Sequence, residues 1–276
     1  MAGPFGKMPP SLLTGLPLRV FSAIIMIPAA IAAVWFGGPV FVLMIGVAAL
    51  IMVYEWSRMI EGDETKRVAI GLAITAIGSI GFSAFGYYEY AYILALVGGA
   101  LIWFGFSRQR MPTWWRGVGV FYIIMPCIAL IWLRAEPESG RMLTFMVFLV
   151  VWATDIGAYG FGRWIGGPKL NPQISPQKTW AGAVGGILAG GSIAAVLGGV
   201  AFRPEVIVIC FFLGLALGIA SAVGDFAESA MKRGFGVKDT SGFIPGHGGV
   251  LDRLDGMIFA TVVMAIAMYL VRIYGN

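Results

Sequence analysis

Charge is scarce in this sequence: Asp, Glu, Lys and Arg make up 12% of its 276 residues, against 59% hydrophobic residues. That is far too little polar surface to coat a water-soluble globule. Histidine occurs once and cysteine twice. Cys127 and Cys210 both lie inside apolar runs, which argues against a disulfide framework or a zinc site and leaves them as small buried hydrophobes. No glycine cluster follows a strand pattern, so Rossmann and P-loop nucleotide sites fail on context. Long soluble segments, internal repeats and low-complexity tails are also missing. With a mean hydropathy of +0.86 the sequence is that of an integral membrane protein. Its long apolar runs and short charged loops predict a bundle of helices and not a barrel.

Residues 1–19, with Pro4, Pro9, Pro10 and Pro17, read as a short cytoplasmic lead. The first apolar run, 20–36, resembles a signal peptide at Ala30 and Ala32, yet it stays apolar through Trp35 and Phe36, so we read a retained span with Pro28 as a tolerated kink. Further spans are predicted over 39–54, 68–85, 91–106, 117–133, 142–161, 181–202, 206–223 and 257–273. The expected fold is therefore all-α, a polytopic protein of nine transmembrane helices. Spans 20–133 form an N-terminal part; 134–276 form a catalytic region with cytoplasmic loops 163–180 and 224–256. Glycine clusters such as Gly182, Gly185, Gly186, Gly190 and Gly191 read as faces for close helix packing.

Of the 19 lysines and arginines, fifteen fall in alternate loops beginning with the N-terminus, and Arg134, Arg141, Arg203 and Arg272 fall on the other side. The positive-inside rule then puts the N-terminus in the cytoplasm of an inner-membrane protein. The net charge of +5 follows from this topology, and no nucleic-acid partner is expected.

Chemistry gathers in 229–255, SAMKRGFGVKDTSGFIPGHGGVLDRLD. Here stand Lys232, Arg233, Lys238, Asp239, His247, Asp252, Arg253 and Asp255, with Asp225 just upstream. Ser221, Asp225, Ser229 and Lys232 share a helix face, and Asp252 and Asp255, three apart, point the same way if a helix starts there. Three carboxylates, Asp225, Asp252 and Asp255, are thus available for one or two hard cations such as magnesium. The plainer alternative has Asp252 as a helix cap and Arg253 and Asp255 as boundary charges. Lys232, Arg233 and Lys238 either hold phosphates or anchor the topology, while the intervening glycines leave N–H groups open to phosphate oxygens. His247 is a general acid, a phosphate donor or a loop-holding group, the last being commonest for a lone histidine.

Two upstream elements are expected to join this site. Asp155 is ionisable within a span and is a functional candidate for that reason, with a packing hydrogen bond as the alternative. In ISPQKTWAG, Ser175, Lys178 and Thr179 precede a helix N-terminus, where anions bind.

The stretch 229–255 resembles the signature of the phosphatidate cytidylyltransferases, the CDP-diacylglycerol synthases: Ser229, Lys232, Arg233, Lys238, Asp239, Ser241, Pro245, His247, Gly248, Gly249, Asp252, Arg253 and Asp255 fill its positions. Asp155 and Tyr159 resemble a second phrase of the family. SPQKTWAG resembles a third, with Gln177 and Ala181 where the family has lysine and glutamate. The resemblance implies transfer of CMP from CTP to phosphatidic acid in the membrane, with Asp225, Asp252 and Asp255 as magnesium ligands and a homodimeric assembly. A transporter would distribute charge at mid-membrane in matching halves of the chain. A CDP-alcohol phosphotransferase would follow Asp255 and Gly256 with a different motif from Met257 and Ile258. A non-catalytic scaffold would leave the clustered charges unexplained.

Overall fold

A computed structural model describes residues 16–62, 66–105, 114–244 and 248–274, with side chains from Ser22 onward. Within these residues the chain forms α1 Leu16–Phe36, α2 Gly38–Glu61, α3 Lys66–Ala84, α4 Tyr88–Gly105, α5 Trp114–Ala135, α6 Gly140–Trp164, α7 Trp180–Ala201, α8 Ile207–Gly234 and α9 Leu251–Tyr274. From α2 onward, eight helices are long and apolar enough to cross a membrane; α1 contributes the shorter apolar stretch Ser22–Phe36. This agrees with the polytopic all-α reading. The one sheet among the described residues is a small antiparallel hairpin, β1 Lys169–Asn171 and β2 Ser175–Thr179.

Three helix boundaries depart from the sequence reading in ways that matter for function. Helix α2 continues past residue 54 to Glu61, because apolar side chains persist through Ile60 and charged Glu61 pairs with Arg116 of α5 at 2.5 Å, both side chains buried. Helix α8 continues past residue 223 to Gly234, carrying Glu228 and Lys232 one turn apart as an ion pair. Asp225 is therefore inside a helix and not at its end. Helix α9 starts at Leu251, six residues early, so Asp252 and Asp255 lie in its opening turns as expected. Helix α5 contains a π-helical stretch, Val120–Ile124, ending two residues before Pro126, where the missing proline N–H interrupts the regular ladder.

Glycine faces bring the C-terminal helices together. A β carbon on Gly186 of α7 would lie 2.5 Å from the carbonyl oxygen of Thr154 on α6, and one on Gly190 would lie 2.6 Å from the Thr154 hydroxyl. Backbones approach this closely only where side chains are absent. Between α1 and α2 the chain reverses through Gly37 at φ +64°, and Arg134 Nε donates to the Val34 carbonyl at 2.6 Å, satisfying an orphan acceptor at the end of α1.

Candidate active site

The later turns of α8, the opening turns of α9 and one hairpin build the site. Helices α8 and α9 cross on two glycines: a β carbon on Gly224 would stand 2.5 Å from the Asp255 carbonyl oxygen, and Gly256 packs against Ser221. This crossing sets Asp225 beside Asp255, and Asp255 lies in the fields of both Asp225 and Glu228. The hairpin turns on Asn171, whose Oδ1 accepts from the N–H groups of Gln173 and Ile174 at 3.0 and 3.3 Å. Asparagine side chains characteristically close turns this way. Its second strand delivers Lys178, whose Nζ is 2.5 Å from Asp225 Oδ2. Thr179 then caps α7, its Oγ1 accepting from Gly182 N–H at 3.1 Å; threonine is a favoured residue there.

These elements enclose a cleft of about 860 Å³. Among the described residues, Asp155, Lys178, Thr179, Asp225, Lys232, Asp239, Asp252, Arg253 and Asp255 line it, which unites nine of the residues singled out in the sequence. Arg163 and Lys169 add two cations that reading the loops as topology signals had passed over. Ser175, Ser229, Arg233 and Lys238 are not part of the lining; Arg233 instead reaches the Val237 carbonyl at 3.5 Å. His247 lies outside the described residues.

Asp252 and Lys232 are tightly engaged. Lys232 Nζ sits 2.7 Å from Asp252 Oδ1 and 2.8 Å from Glu228 Oε2, with both carboxylates buried. Asp252 Oδ2 accepts from Gly249 N–H at 2.8 Å, from Thr240 N–H at 3.0 Å and from the Thr240 hydroxyl at 3.0 Å. The carboxylate thus caps the loop before α9 and holds a lysine at the cleft wall.

The sequence reading missed Glu55. It belongs to α2, far from the signature in sequence, and is completely buried. Its Oε1 accepts from the Ser241 hydroxyl at 2.5 Å and from Val250 N–H at 3.0 Å, and its Oε2 accepts from Leu251 N–H at 2.8 Å. The signature loop is therefore anchored by the N-terminal part of the chain. The signal was present: an acid set among Met52, Val53, Tyr54 and Trp56 in an apolar stretch is a functional candidate by the argument applied to Asp155.

Among the described residues no three acidic, histidine or cysteine side chains form a ready-made metal cage. Magnesium commonly takes one or two carboxylates and completes its octahedron with water and substrate phosphates. Asp225 and Asp255, both on the wall of the cleft, fit that requirement.

The protein-family model described as the cytidylyltransferase family matches residues 17–271. The chain is similar to the phosphatidate cytidylyltransferase of Brucella suis, 35% identical over 266 residues, covering 91% of this chain and 93% of that one. Similar enzymes of the same name from Haemophilus influenzae and Pseudomonas aeruginosa are 32% and 30% identical. The first alignment covers 88% of this chain and 94% of the relative, and the second covers 91% and 96%.

Proposed function

Because this chain belongs to the cytidylyltransferase family, the reaction to account for is cytidylyl transfer to phosphatidate, and we propose that the cleft between α6, α8, α9 and the hairpin carries it out. A phosphate oxygen of phosphatidate attacks the α-phosphorus of CTP. A new P–O bond forms, the bond to the β-phosphate oxygen breaks, and pyrophosphate leaves with the bonding electron pair, giving CDP-diacylglycerol. The nucleophile is already an anion near neutral pH, so the cleft needs no activated serine or cysteine. What the reaction demands is neutralisation and in-line alignment of two polyanions. The observation that carries this reading is the alternation of cations and carboxylates around one cleft: Arg163, Lys169, Lys178, Lys232 and Arg253 facing five aspartates.

In this account Lys178 and Lys232 hold phosphate oxygens, each kept upright by a carboxylate partner. Asp225 and Asp255 hold magnesium, which when bound supplies further charge neutralisation for the phosphates. Asp252, which the resemblance implied as a third ligand, spends its oxygens on Lys232, Thr240 and Gly249, so we assign it the placing of the loop and of Lys232. Asp155 lines the same cleft as Lys178 and Arg253, and we assign it the balancing of their charge. The distribution of basic residues supports a cytoplasmic N-terminus and a cleft opening to the cytoplasm from an inner membrane. We further propose a homodimer, on the family resemblance.

The direct test is conversion of radiolabelled CTP by purified protein in micelles of phosphatidic acid. Label should enter lipid only when phosphatidic acid and magnesium are both supplied. Lipid labelling that ignores magnesium would overturn the metal assignment, and no lipid labelling under varied detergents and metals would overturn the transferase assignment.

A further inference from the structure

Helix α9 has a second face. Behind the wall that carries Asp252 and Asp255 lies an apolar groove of about 280 Å³, between α9 and helices α1, α2 and α5. Met26 and Ala30 of α1, Met44 and Ala48 of α2, and Met257 and Ile258 of α9 line it. Among the described residues, Arg253 is the single one shared by the linings of this groove and of the polar cleft.

The groove has a direction. Glu55 bonds the N–H groups of Val250 and Leu251, so the later part of α2 lies at the Arg253 end and Met44, eleven residues before Glu55, lies deeper. From Arg253 to Thr261, the deepest lining residue of α9, eight residues rise about 12 Å along the helix. One leaflet of a bilayer's hydrocarbon core is about 15 Å deep. The groove therefore runs most of the depth of one leaflet, apolar along its length, with a guanidinium at the end where a lipid's headgroup lies. That charge arrangement selects a lipid with an anionic head.

We propose that this groove receives an acyl chain of the phosphatidate substrate while Arg253 takes its phosphate, so that α9 forms the partition between lipid tail and nucleotide. The inference rests on phosphatidate being the acceptor. It gives Arg253 the role of bringing the attacking phosphate around the helix end towards Asp255 and Lys178.

Photoreactive phosphatidate with a diazirine midway along one chain, irradiated with the full-length protein in micelles without CTP, tests it. Crosslinks should fall on 26–30, 44–52, 126–130 and 254–261 at about tenfold the level given by the matching diacylglycerol probe, and Arg253→Gln should reduce them to that level. Equal labelling by the two probes, or labelling concentrated on residues that do not line the groove, would overturn the proposal. Ala48→Phe, which fills the groove, should raise KM for long-chain phosphatidate about tenfold, leaving KM for CTP and for dihexanoyl phosphatidate nearly unchanged. An unaltered long-chain KM in a folded Ala48→Phe protein would also overturn it. If that variant does not fold, labelling of the unmodified protein decides. A protein that is labelled in the groove yet transfers no CMP would retain the lipid site and lose the transferase assignment.

Discussion

Glu55 Oε2 accepts the backbone N–H of Leu251 at 2.8 Å, across 196 residues of chain. A buried carboxylate of the second helix thus satisfies the opening N–H groups of the last one, and the charge favours that helix's positive end. Glu55→Gln keeps the size but offers one acceptor oxygen in place of two. Whichever way the amide turns, Val250 or Leu251 faces an NH2 group, a loss of about 1–3 kcal/mol. The loop before α9 should loosen: trypsin should cut after exposed Lys238 faster, and kcat should fall about tenfold or more with little change in KM for CTP. Unchanged cleavage and unchanged kcat would show that the loop holds its place without Glu55.

Lys232 lies between two buried carboxylates, Glu228 and Asp252. Lys232→Met leaves both without their cation, and breaking a buried pair in this way costs about 3–5 kcal/mol. We expect a large drop in the thermal midpoint measured in detergent. Glu228→Gln added to Lys232→Met should recover much of that stability and none of the activity. Recovery of turnover in the double variant would remove Lys232 from phosphate binding.

Magnesium titration separates the three aspartates. Asp225→Asn and Asp255→Asn should each raise the magnesium concentration for half-maximal transfer about tenfold or more, equivalent to about 1.4 kcal/mol. Asp252→Asn should lower stability and kcat while leaving that midpoint in place. A shift for Asp252→Asn as large as for the other two would return it to the metal shell.

The Gly224 crossing is sensitive to a single methyl group. Gly224→Ala pushes a β carbon against the Asp255 carbonyl, and overpacking of this kind costs about 1–3 kcal/mol. Separation of α8 from α9 should also reduce turnover more than Gly186→Ala, whose clash with the Thr154 carbonyl lies deeper in the α6–α7 contact. Equal turnover in the two variants would mean that the spacing of Asp225 and Asp255 is not set by this crossing.

Helix number and membrane character were legible because apolar runs announce themselves by length alone. Most of the cleft was legible too: the charges of 225–255 stand out against a greasy background, and a helix start at Leu251 aligns Asp252 with Asp255. What stayed hidden has physical causes. Asp252 and Lys232 stand out in sequence as charged groups, and only their three-dimensional neighbours reveal how much of their bonding capacity the fold consumes. Arg163 and Lys169 were counted as signals of sidedness because a loop cation looks the same whether it meets a headgroup or a cleft. Glu55 was hidden because α2 stays helical through Glu61, beyond the point where the apolar run seemed to end.

The two glycines at the α8–α9 crossing have a consequence for how sequences of this kind can drift. Gly224 adjoins Asp225 and Gly256 adjoins Asp255; a β carbon at Gly224 would run into the Asp255 backbone carbonyl, and one at Gly256 would displace the Ser221 hydroxyl and press on its backbone. Substitution at both is opposed by shape, whatever reaction the neighbouring carboxylates perform. In an alignment these glycines would look as invariant as the acids beside them, although they carry no reactive group. Their constancy would record a distance, and a homologue with a bulkier residue at either position would need a compensating shift of helix α9 to keep its aspartates together.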